Sequence, residues 1–212
     1  LRAIELEEDD VLIGTAVTDG SQDIMLFSSE GKVVRFAESG VRAMGRTARG
    51  VRGIKMGEGH RLISLVVPQE GSKILTVSEN GYGKRSETSD FPVKGRGTKG
   101  VIGMTTSERN GSLVGAEQVW DGDEMMLISN QGTAVRTRVE EVSVQGRNTQ
   151  GVRVIRTREG EALVSVSRIA EDDVDATEIQ ASPSGVAESA ASAAAPSDAN
   201  GSAAEGDEDI GE

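Results

Sequence analysis

The feature that most constrains this chain is an internal repeat. Leu12, Leu62, Leu113 and Leu163 open similar apolar runs, "LIGTAV", "LISLVV", "LVGAEQV" and "LVSVSRI", at spacings of 50, 51 and 50 residues. A second run follows in three copies, "DIMLFSSEGKVVRF", "KILTVSENGYGKRS" and "EMMLISNQGTAVRT", in which Gly31, Gly81 and Gly132 hold the same place. Nineteen residues after each of these stands another glycine, Gly50, Gly100 or Gly151. A period of this length marks an array of supersecondary units, each of which buries its apolar face only by stacking on the next.

The runs are short, β-branched and bounded by turn residues, which reads as strands. "SEGK", "ENGY" and "NQGT" read as hairpin turns, where glycine takes the positive φ that a tight turn needs. The first copy then has four strand candidates, at residues 12–17, 24–28, 32–36 and 51–56. Repeats are expected at 9–59, 60–111 and 112–161, with residues 1–7 and 163–169 as strands of neighbouring copies. Four strands per repeat argue for an all-β, propeller-like array over residues 1–170. The chain opens on leucine inside a strand-like run and is read as a piece of a longer protein.

Charge divides the chain. The formal net charge is −12, yet residues 171–212 hold twelve Asp or Glu and no Lys or Arg. The remaining 23 acids balance 23 bases, so the body is neutral and the low pI belongs to the tail. Rich in Ala, Ser and Gly, the tail has too little apolar surface to offset its ordering entropy, and it is expected to be disordered. Two readings of the tail stand side by side: a tethered polyanion that competes with phosphates for basic surface, and a solubilising tail with no contact to the body. There is no cysteine and a single histidine, His60, so a disulfide frame and a Cys- or His-rich metal site are excluded. With no apolar run long enough to span a bilayer and no secretory signal, a cytoplasmic location is expected.

Within the body, bases gather around three similar loops, "GRTARGV" at 45–51, "GRGTKGV" at 95–101 and "GRNTQGV" at 146–152. Glycines let a backbone turn tightly and approach a surface, while Arg and Lys project toward phosphates. The candidate phosphate ligands are Arg46 and Arg49, Arg96 and Lys99, and Arg147 from the loops. Arg35, Lys84, Arg85, Arg136 and Arg138 join them from the neighbouring strands, and Arg52 and Arg153 from just beyond the closing glycines. One basic cluster per unit predicts a discontinuous positive belt that a duplex follows only by bending. The competing reading is a set of solvated loops whose arginines pair with local acids.

Several stretches carry a resemblance. "IMLFSSEGKVVRF", "SGVRAMGRTARGVRGIKMGEG", "ENGYGKR", "TKGVIGM", "SERNG" and "VQGRNTQGVRVIRT" closely resemble the C-terminal domain family of DNA gyrase A, over residues 1 to about 169. The resemblance implies a β-pinwheel, a propeller variant whose blades exchange strands. It also implies duplex DNA wrapped on a basic rim, so that an ATP-driven type IIA topoisomerase introduces negative supercoils. The implied partners are duplex DNA, the rest of gyrase A, and gyrase B in a heterotetramer, with no membrane. The strand-passage tyrosine, the ATP site and the Mg2+-binding acids of that enzyme lie outside the stretch that matches. No catalytic residue, cofactor or metal ligand is therefore expected here. The family's Gln-Arg-Arg-Gly-Gly-Lys-Gly signature, which belongs to its first blade, is absent, and "GRTARGV" looks like a degenerate copy of it.

Two other readings are carried: the related C-terminal domain of topoisomerase IV, and a propeller that binds protein. "GRGTKG" fits a dinucleotide-binding glycine pattern, but no helical period follows it and the sister loops lack Gly97. Trp120 and Asp121 form an isolated WD pair, and the acids at 121–124 read as a solvated turn. Tyr82 reads as a turn residue, His60 as a surface or edge residue, and Met44, Met56, Met104, Met125 and Met126 as core.

Overall fold

Hairpins form wherever a strand-length apolar run meets a glycine turn, and three do so in the computed structural model, which describes residues 3–171. Eleven strands are present among them: β1 (Asp23–Ser28), β2 (Lys32–Ala37), β3 (Leu62–Val66), β4 (Lys73–Ser78), β5 (Tyr82–Glu87), β6 (Val101–Ile102), β7 (Leu113–Val119), β8 (Glu124–Ser129), β9 (Ala134–Arg138), β10 (Val152–Arg153) and β11 (Leu163–Ile169). The hairpins β1–β2, β4–β5 and β8–β9 each end in a single 3-10 turn. The acidic tail from residue 172 lies outside the described residues.

The sheets do not coincide with the sequence repeats. Their strand orders are β3-β1-β2-β6, β10-β5-β4-β7 and β11-β8-β9. The first hairpin takes its two flanking strands from the following repeat, with Leu26 opposite Leu65 on one side and Val33 opposite Val101 on the other. The second does the same, Leu75 facing Glu117 and Gly83 facing Val152. Blades therefore exchange strands, as a pinwheel requires.

This exchange explains where the strand expectations fail. Residues 3–7 and 12–17 carry no strand, and the stretch 51–56 makes only one bridge, Ile54 to Thr98. Their counterparts Leu62–Val66 and Val101–Ile102 become strands because the preceding hairpin offers hydrogen-bonding edges. Among the described residues no hairpin precedes residue 12, and an extended segment without a partner leaves its amides to water. Leu12 and Val17 are accordingly exposed.

Successive residues of a strand face opposite sides of the sheet, so a strand covered on both faces reads as a continuous apolar run. In β4, Ile74 packs with Met25, Phe27, Phe91 and Met104 between the first two sheets. Its neighbour Leu75 packs with Met125, Leu127, Val139 and Leu163 between the second and third. Phe27 meets Phe91 edge to face at 6.4 Å. Met104 and Met125 are core as expected, whereas Met44 and Met56 are exposed. Strand β7 touches β3 on one side and β11 on the other, so these edges of the three sheets lie together at the centre. The opposite edge, with β6, β10 and the basic loops, is the perimeter.

Candidate nucleic-acid interface

The second and third basic loops each run back along the edge of the preceding hairpin and lock onto the segment that follows the loop before. Lys55 N donates to Thr98 O at 2.8 Å, and fifty residues later Thr105 N donates to Thr149 O at 3.0 Å. Arg96 Nη1 donates to Arg52 O at 3.2 Å and Arg147 Nη1 to Ile102 O at 3.1 Å, carbonyls at equivalent positions of successive repeats. Arg96 Nε also reaches Gly40 O at 2.9 Å. Two of the three closing glycines have a steric reason: a Cβ on Gly100 would strike Val33 O, and one on Gly151 would lie 2.6 Å from Gly83 O, whereas at Gly50 it meets open space. The close approach expected of them is made to the preceding hairpin.

The candidate ligands separate into two groups. Arg46, Arg49, Arg52, Arg96, Lys99, Arg136, Arg138 and Arg153 are exposed, and Arg147 is half-buried. Among the described residues Arg46, Arg52, Lys99 and Arg138 form no salt bridge. Arg49 pairs with Glu7 at 2.9 Å, both side chains about two-thirds exposed, a contact worth roughly 0–1 kcal/mol. Arg136 pairs with Glu124 across the hairpin.

Three of the expected ligands are placed elsewhere. Lys84 is fully buried and its Nζ donates to the carbonyls of Gly146 and Arg147 at 2.8 and 2.6 Å. Burial pulls its pKa down to about 8. Arg85 is buried, with Nε on Val142 O at 2.6 Å and a salt bridge to Asp121. Arg35 repeats that arrangement, held by Asp23 at 2.8 Å and by the carbonyls of Thr88 and Phe91 at 2.9 and 3.3 Å. These charges satisfy carbonyls of the next blade and brace the junctions; they do not reach a ligand passing along the perimeter. The strand position that resembles a continuation of the belt is the blade-to-blade joint.

Other residues also depart from expectation. The acids at 121–124 are a solvated turn only in part: Asp121 is exposed and bridges Lys73 and Arg85, while buried Asp123 binds Arg168 and the amide of Trp120. Hydrogen bonds from Lys73 and then Arg85 lower the Asp121 pKa. His60 is exposed, as expected of a surface or edge residue, with Nδ1 3.3 Å from Ser29 Oγ. Tyr82 is only 4% exposed and begins a strand, its phenol oxygen facing Arg153 and Arg109. Arg109 has no counterpart in the sister repeats, so periodicity gives no signal for it. Among the described residues no cluster of His, Cys, Asp or Glu could hold a metal ion, and no helix is long and apolar enough to cross a membrane.

The all-β repeat fold agrees with the comparisons to known proteins. The family model described as the DNA gyrase C-terminal domain, beta-propeller, matches three times, at residues 22–69, 72–119 and 123–170. Each match starts at a hairpin and ends on the strand that pairs with it. The DNA gyrase A protein of Pseudomonas aeruginosa is 55% identical over 200 residues, covering 92% of this chain and 22% of that protein. The chain thus spans about a fifth of the length of the curated relatives it matches. A solved DNA gyrase A C-terminal domain superposes with a TM-score of 0.73 at 31% identity, covering 79% of this chain and 57% of that one. The C-terminal domain of DNA topoisomerase IV, at 23% identity and a TM-score of 0.75 over 85% of this chain and 58% of that one, shares the fold. On the threefold match and the level of identity, this chain belongs to the DNA gyrase C-terminal domain, β-propeller family.

Proposed function

We propose that this chain binds duplex DNA along its perimeter and bends it, as the wrapping domain of a DNA gyrase A protein. The observation that carries the reading is the row of exposed cations with no salt bridge among the described residues (Arg46, Arg52 and Lys99) on interlocked perimeter loops. Arg and Lys on such loops recognise the phosphate backbone, not base edges, so affinity depends steeply on salt and weakly on sequence. Bending 20–30 bp costs on the order of 1–6 kcal/mol, so several loops must engage together to hold the curve.

In the same reading the chain performs no chemistry. It presents a curved segment to a topoisomerase core, formed by the rest of gyrase A together with gyrase B, which uses ATP and Mg2+ and introduces negative supercoils in the cytoplasm. The level of identity to gyrase A proteins favours this over topoisomerase IV.

The test separates binding from wrapping. Combined Arg46→Ala and Arg49→Ala should reduce the topological shift of a relaxed plasmid more than it reduces affinity for a short linear duplex. Equal losses in the two assays would reject a wrapping role for the first loop. Absence of duplex binding by the native chain would reject the function.

A further inference from the structure

Two exposed arginines share a partner that is neither a carbonyl nor a carboxylate. The guanidiniums of Arg109 and Arg153 lie 4.9 and 5.2 Å from the centre of the Tyr82 ring. Both also donate to its phenol oxygen, Arg109 Nε at 3.3 Å and Arg153 Nη2 at 2.8 Å. They come from different repeats: Arg109 from the turn after β6, Arg153 from β10, two positions past the closing glycine of the third basic loop.

Two features make this a built site. The platform is rigid, because the Tyr82 ring is buried in the core between the first two sheets and Arg153 pairs with Tyr82 across the β5–β10 ladder. Asn80 Nδ2 holds the main chain of the Arg109 turn, donating to Glu108 O at 3.1 Å and Arg109 O at 3.3 Å. The charge is also uncompensated: both arginines are exposed, and neither forms a salt bridge among the described residues. Two cations sharing one neutral oxygen repel each other unless an anion joins them. With its oxygen accepting two hydrogen bonds, the phenol has its own proton left to donate. The same two guanidiniums lower the phenol pKa. The site is therefore donor-rich and acceptor-poor, which suits the planar, forked recognition of a phosphate by arginine.

We propose that Arg109, Arg153 and the Tyr82 hydroxyl clamp one backbone phosphate of duplex DNA, extending the belt from the third basic loop onto the turn at 107–111. The proposal rests on the DNA-binding reading above. The clamp belongs to the second hairpin alone, since Lys32 and Thr133 stand where Tyr82 does and provide no ring.

The test uses the whole chain and a labelled linear duplex in a salt series. Arg109→Gln should weaken binding roughly three- to tenfold near 0.1 M salt and flatten the slope of log affinity against log salt by about 0.9, the value of one neutralised phosphate. Arg109→Lys keeps the charge and loses the fork, so it should keep the slope and lose part of the affinity. Tyr82→Phe keeps the ring and should fall between Arg109→Gln and the native chain. A native slope in Arg109→Gln, alongside a flattened one in Lys99→Ala, would overturn the clamp and leave the DNA reading standing. No duplex binding by the native chain would remove the reading itself. Nitrogen NMR signals of the two guanidiniums should move with duplex. Movement with inorganic phosphate and not with duplex would assign the site to a free anion and overturn the proposal.

Discussion

Arg96 donates to the main-chain carbonyl of Arg52 at 3.2 Å, so an arginine of one basic loop fastens the loop before it. Arg147 does the same to Ile102 one repeat later. The leading arginine of the second and third loops thus has a mechanical role, while Lys99, three residues after Arg96, is exposed and forms no salt bridge among the described residues. Arg96→Ala should lower unfolding free energy by about 1–2 kcal/mol in urea. Lys99→Ala should change stability by less than about 0.5 kcal/mol and flatten the salt dependence of DNA affinity by about 0.9. If the two variants exchange these profiles, the division of labour is wrong.

The blade joints give a graded series. Arg85 is buried on two carbonyls and Asp121, Arg35 is half-buried on two carbonyls and Asp23, and Arg136 is exposed with Glu124 as its one salt-bridge partner among the described residues. Losing the Arg85 guanidinium leaves the carbonyls of Val142 and Glu140 without that donor, at about 1–3 kcal/mol for a buried unsatisfied group, while exposed Asp121 keeps Lys73. An exposed pair such as Arg136–Glu124 is worth roughly 0–1 kcal/mol. Alanine at 85 should therefore be the most destabilising, alanine at 35 intermediate, and alanine at 136 nearly silent in denaturant unfolding. Any other order would separate these three positions from the joint that their repeat spacing assigns.

Much of this is legible from the fifty-residue period. Glycine turns and apolar runs locate all three hairpins, because local turn chemistry and alternation act within a few residues. Which strand joins which sheet is not legible, since Leu62 pairs with a hairpin thirty-odd residues before it in a register set only by packing. The same limit governs the basic residues. Arg35, Lys84 and Arg85 look like Arg46 and Lys99 in a charge map, and the first three are covered only once carbonyls of the next blade arrive, more than fifty residues later in the chain. Tyr82 escapes the sequence pattern for a related reason: its sister residues are polar turn neighbours, and its ring is buried only because Met104 and Leu113 arrive from later in the chain.

Lys84 supplies a pH dependence. Val34 and Val135 hold its place in the sister strands, so the second blade buries an ammonium where the others place a methyl-rich side chain. Burial lowers its folded pKa from 10.5 to about 8. The unfolded chain then binds more protons than the folded one between these values, so stability should rise with pH across that window and be flat in this respect below it. Urea midpoints measured from about pH 7.5 to about pH 10.5 should climb in the native chain and lose this climb in Lys84→Met. A climb that persists in the variant would assign the effect to another group.

Gly31, Gly81 and Gly132 occupy the same hairpin position with φ of 78°, 78° and 82°, so backbone strain on substitution is matched among them. Their surroundings differ. Gly31 O accepts from the amides of Gly103 and Met104, and Gly81 O from those of Val154 and Ile155, which seats the next repeat against the turn. A Cβ at Gly31 would strike Met104 O and one at Gly81 would strike Ile155 O, whereas at Gly132 it meets open space. Alanine at 132 should cost only the left-handed strain, roughly 1–2 kcal/mol. At 31 and 81 the collision adds to that strain, and separation of the two blades should abolish cooperative unfolding or shift its midpoint well beyond that of Gly132→Ala. Equal losses at all three would show that φ alone fixes these glycines and that the blades can slide apart at no further cost.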